Sequence, residues 1–144
     1  MKKPVHEIIE VQEKTSTKKK SILVIDDDAA LLEVNKTILE MEDYEVFIAL
    51  SGAVALSLLE KIAQPDLNLL DMRMADMSGP EFLLELEAKR PKIIESVPVV
   101  FLTAMNKVPE SKAIGFIRKP YDIDKFLVAV HRFIEMAASS QLKH

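Results

Sequence analysis

Cysteine is absent from the 144-residue chain, which rules out disulfides and thiolate metal sites. Long apolar runs are absent too: none approaches the roughly 20 residues needed to cross a bilayer. The opening stretch MKKPVHEIIEVQEK places no apolar core behind Lys2 and Lys3, so it does not read as a secretory signal. There is no internal repeat and no low-complexity tract. What remains fits one globular domain, cytoplasmic and clear of membranes. Apolar residues make up 49% and charged residues 29%, and the length can bury a core.

Charge is unevenly placed. Residues 1–20 hold six lysines against Glu7, Glu10 and Glu13, a net +3, which leaves −7 for the rest of a chain totalling −4. The arm 1–20, ending in Lys18-Lys19-Lys20, could touch nucleic acid or an acidic partner. It reads rather as a flexible, solvated leader, and nothing else points to nucleic acid.

The folded unit is expected over 21–136, with a C-terminal tail at 137–144. Inside it, short apolar runs alternate with amphipathic stretches. Strands are predicted at 22–25, 44–50, 67–70, 99–102 and 114–117. Helices are predicted at 29–41, 53–62, 81–89 and 122–136, with a loop between Pro91 and Pro98. Alternation of this kind implies parallel strands joined by right-handed crossovers, hence an α/β fold. Asn68 interrupts the third apolar run and, if buried, needs hydrogen-bond partners.

Polar residues gather where the strands end. Asp26 and Asp27 follow the first strand, Asp71 the third, Thr103 the fourth and Lys119 the fifth. Open parallel sheets bind ligands at that edge. Clustered carboxylates repel unless a cation neutralises them, and hard oxygen ligands suit Mg²⁺. A carboxylate beside such an ion can attack phosphorus, and a lysine and a hydroxyl can stabilise the phosphoryl oxygens. Capping can occupy one of the three consecutive aspartates, and Asp28 suits the N-cap of the first helix. An EF-hand is excluded, because the alternating acids, central glycine and final glutamate are missing.

The pieces ILVIDDD, PDLNLLDMRMADMSGPEFL, VPVVFLTA and FIRKPYD, in this order, resemble the receiver domain of two-component response regulators over about residues 21–136. The resemblance implies a flavodoxin-like, doubly wound sheet of order 2-1-3-4-5. It implies Asp71 as phosphoacceptor, and Mg²⁺ held by Asp26, Asp27, Asp71 and the Arg73 backbone carbonyl. Thr103 would be the switch hydroxyl, Lys119 the phosphoryl-binding lysine before a cis Pro120, and Phe116 the aromatic switch residue. The implied function is a single-domain regulator, no enzyme beyond its own phosphorylation and dephosphorylation. It would be phosphorylated by a histidine kinase or phosphotransfer protein and signal to a downstream protein.

Three departures stand out. Ala75 occupies the position, four residues past the acceptor, where the family usually has proline. Met105 cannot orient an attacking water by hydrogen bonding. Only fifteen residues separate Thr103 from Lys119, fewer than usual, and AMNKVPESKA with Pro109 supports one helical turn at most or a loop. The fourth helix of the family is therefore expected to be short or absent. A pseudo-receiver, an interaction module not switched by phosphate, is the rival reading. A haloacid dehalogenase-like phosphatase wants Asp-x-Asp followed by a small or hydroxyl pattern and a cap domain; the stretch here is Asp26-Asp27-Asp28-Ala29-Ala30, with no cap domain, and a flavin-binding fold lacks its hydroxyl-rich phosphate loop.

Overall fold

The computed structural model describes residues 18–94 and 97–142. Its elements are β1 (Ser21–Ile25), α1 (Ala29–Met41), β2 (Glu45–Ala49), α2 (Gly52–Leu59), β3 (Leu67–Asp71) and α3 (Gly79–Lys89). A one-turn α4 (Pro91–Ile94), β4 (Val99–Thr103), β5 (Gly115–Arg118) and α5 (Ile123–Leu142) complete them. All strand pairs are parallel, in the order β2-β1-β3-β4-β5. This is the flavodoxin-like sheet expected from the sequence.

The strands are almost wholly apolar because helices cover both faces. Leu23, Ile25, Leu70 and Phe101 cluster with Ala55, Leu56 and Leu59 of α2 and with Phe82, Leu83 and Leu86 of α3. Ile22, Val24, Leu69, Val100 and Leu102 cluster with Leu32 and Leu39 of α1 and with Phe126, Val130 and Ile134 of α5. Close approach of α5 to the edge strand requires Gly115, where a Cβ would lie 2.5 Å from the Phe133 ring. Asn68 is buried; its amide nitrogen donates to the Pro98 carbonyl at 3.2 Å, and its Oδ1 has no partner among the described residues.

Side chains set the helix starts. Asp28 accepts from the Leu31 amide at 3.1 Å and Ser51 from the Val54 amide at 3.1 Å. Ser78 and Glu81 exchange both bonds of a capping box, with Pro80 in the first turn of α3. Asp122 accepts from the Lys125 amide at 2.7 Å as α5 begins. The turn into β2 uses Asp43 at φ 68°, a conformation aspartate tolerates better than most residues.

Several boundaries differ from expectation. The helix predicted to stop at Met136 continues to Leu142, because Ala137 and Ala138 are strong helix formers and no breaker follows. Residues 137–142 are thus helix rather than tail. The helix predicted over 53–62 ends at Leu59, and the amides of Lys61 and Ile62 both turn back to the Leu58 carbonyl. The loop expected between Pro91 and Pro98 contains the single turn α4. Between β4 and β5, residues 104–114 form no helix, so the fourth helix of the family is absent there. Most of the basic arm lies outside the described residues. Its end is anchored: the Lys20 carbonyl accepts from Glu45 at 2.9 Å, and Lys19 pairs with Asp43 at 3.4 Å.

Candidate functional site

The register aligns the strand ends. Ile25 lies beside Leu70, Asp71 beside Leu102 and Thr103 beside Arg118. Asp26, Asp71, Thr103 and Lys119 therefore leave the sheet on one edge, as their places in the sequence predicted. Asp26, Asp27 and Asp71 each offer a carboxylate oxygen, and the three oxygens lie within 4.8 Å of one another.

Burial differs within the cluster. Asp26 is 1% exposed, Asp71 is buried and Asp27 is open to solvent. The Oδ1 of Asp26 accepts from the Asp28 amide at 3.0 Å, while its buried Oδ2 accepts no hydrogen bond among the described residues. Lys119 Nζ stands 3.6 Å from that Oδ2 and 3.4 Å from Asp71 Oδ1, so one ammonium spans two carboxylates. Burial pushes the Asp71 carboxyl above the ordinary range, and the charge of Asp26 adds to this; Lys119 and the Arg73 amide, 3.4 Å from Oδ1, pull it back.

Asp71, Arg73, Thr103, Met105 and Lys119 line a cavity of about 470 Å³. The Thr103 hydroxyl oxygen accepts from the Met105 amide at 3.0 Å. The Arg73 guanidinium has no carboxylate partner among the described ion pairs. Phe116 is not in the cavity; it lies 37% exposed beside a groove it shares with Val128, Phe133 and Met136 of α5. The Lys119-Pro120 bond is cis, as the resemblance implied.

The donors fit a hard divalent ion. Three carboxylate oxygens converge, one carries a buried atom without a hydrogen bond, and a single lysine offsets part of their charge. That same edge offers a carboxylate, a hydroxyl and an ammonium around one cavity.

Two parts of the site had no sequence signal as donors or tethers. The Ala75 amide donates to Asp27 Oδ2 at 2.7 Å. The Asp76 carboxylate accepts from the amides of Gly52 at 3.2 Å and Ala53 at 3.1 Å. A backbone N–H belongs to every residue but proline, so only the missing proline at position 75 hinted at the first.

Comparison with known proteins agrees with this fold. A family model for the response regulator receiver domain matches residues 22–131. The chain is 34% identical over 125 residues to sporulation initiation phosphotransferase F of Bacillus subtilis (strain 168), covering 82% of this chain and 96% of that protein. It is 33% identical over 129 residues to the transcriptional regulatory protein GlrR of Escherichia coli (strain K12), covering 85% of this chain but 28% of that one. Its fold superposes with a TM-score of 0.73 on a CheY-like response regulator receiver domain protein from Methanospirillum hungatei JF-1, at 29% identity, over 85% of this chain and 99% of that one.

Proposed function

We propose, because this chain belongs to the response regulator receiver domain family, that Asp71 accepts a phosphoryl group from a histidine kinase or phosphotransfer protein. The observation that carries the reading is the meeting of Asp71, Thr103 and Lys119 on one cavity, with oxygens of two further carboxylates, Asp26 and Asp27, within 4.8 Å of one of Asp71's. A carboxylate oxygen of Asp71 attacks phosphorus, the new O–P bond forms, and the donor's P–N bond breaks with its electron pair left on the imidazole nitrogen. The Lys119 ammonium meets a phosphoryl oxygen, and the Thr103 hydroxyl turns towards another as the switch. Asp26, Asp27, Asp71 and the Arg73 carbonyl would hold Mg²⁺, which would supply charge neutralisation to the transferring phosphoryl group. Phe116 has no hydroxyl, so its part in switching rests on packing. The likeness to a phosphotransferase over 96% of that protein's length favours onward phosphotransfer or protein–protein contact as the output.

The test is intact mass after incubation with a small phosphodonor and Mg²⁺. One phosphoryl group is expected on the native chain and none on Asp71→Asn or after chelation. No gain from either a small donor or a kinase would leave the pseudo-receiver reading in its place.

A further inference from the structure

We infer that Ala75 and Asp76 form a latch that holds the Asp27 carboxylate in position for a cation; this rests on the reading of Asp26, Asp27 and Asp71 as cation ligands. Asp27 is exposed, and an exposed aspartate ordinarily samples several rotamers. Here its Oδ2 accepts a 2.7 Å bond from the Ala75 amide, at the short end for an N–H donating to a carboxylate. One oxygen is thereby tied and the other left for the cation.

The donor is itself anchored. Asp76 spreads its two carboxylate oxygens over the Gly52 and Ala53 amides at the start of α2, where helix geometry favours an anion. Ser51 caps the same helix end. The chain of contacts runs from α2 to Asp76, through the Ala75 amide, to Asp27. Proline at position 75 would have no N–H and would leave Asp27 without this donor. The position at which this chain departs from the family's usual residue is thus the position that supplies the bond.

A ligand already oriented loses less conformational freedom on binding, so the latch should tighten Mg²⁺ by about fivefold. Calorimetric titration of the metal-free full chain with MgCl₂ tests this on the native protein, Ala75→Pro and Ala75→Gly. Weakening by about fivefold in Ala75→Pro, with Ala75→Gly within about twofold of native, is the expected result. Equal affinity of native and Ala75→Pro overturns the latch. If Ala75→Pro does not fold, Asp76→Ala cuts the same chain one link earlier and must also weaken Mg²⁺; unchanged affinity there overturns it equally. Hydrogen exchange at the Ala75 amide, read by NMR without metal, separates this inference from the one beneath it. A native chain that binds no Mg²⁺ defeats the cation reading, whereas fast exchange at the Ala75 amide defeats the latch whatever the metal does.

Discussion

Asp71 carries the tension of the site in a single side chain. It is buried beside Asp26, and both burial and that neighbouring charge raise its pKa. A carboxyl whose folded pKa lies above its unfolded value stabilises the fold at pH below the unfolded value, near 4, as an approximate reference. That contribution is lost as pH rises through the folded value, so at neutral pH the ionised group opposes folding. The cavity opens to solvent, which screens the effect. Asp71→Asn in chelator at neutral pH should therefore melt about 2–4 °C above native. Differential scanning calorimetry should show that gap shrinking as pH approaches about 4. A variant that melts below native at neutral pH would refute the assignment of strain to Asp71. At this scale the site was readable where side-chain chemistry carries it: Asp26, Asp27, Asp71, Thr103 and Lys119. The Ala75 amide was not, because a backbone donor has no letter of its own.

Among the elements, starts were more legible than ends. Serine, aspartate and proline mark helix beginnings by satisfying or lacking particular amides, and Asp28, Ser51 and Ser78 do so here. The end of α2 was misplaced because no glycine or proline stops it at Leu59; the chain turns through Glu60 and Lys61 before Pro65. The end of α5 was misplaced because apolar spacing fades after Met136 while helix propensity does not. Ser78→Ala should destabilise the protein by about 1 kcal/mol by removing one half of the α3 capping box, seen as a lower urea midpoint with an unchanged slope. The bonds to Ser78 lower the Glu81 pKa. Its contribution is accordingly present above the ordinary glutamate pKa and lost as pH falls through the folded value. An unchanged midpoint in Ser78→Ala at neutral pH would show that the box is not formed in solution.

Across the whole molecule, the missing helix between β4 and β5 is the main departure. Val108 and Ala113 of the 104–114 segment pack against the α2–α3 side of the core, and Lys112 pairs with Glu87 of α3 at 2.8 Å. Ile114 and Phe116 remain exposed at the β5 edge. A segment with few backbone hydrogen bonds should open more readily than the central strands. Amides of 106–112 should exchange with deuterium at least about a hundredfold faster than those of β1, β3 and β4, measured by NMR. Protection in that segment equal to α3 would mean that it carries order the fold does not account for.

Local chemistry alone determined the alternation of strands and helices, their parallel pairing and the gathering of five polar side chains at strand ends. Apolar periodicity and crossover handedness act within a few dozen residues, so they are visible along the chain. Only the tertiary structure decided that three carboxylate oxygens meet within 4.8 Å, that Lys119 spans Asp26 and Asp71, and that Ala75 ties Asp27. It also decided the path of residues 104–114 across the core. Those contacts join residues far apart in sequence, and their geometry follows from how strand register and helix packing place whole elements together.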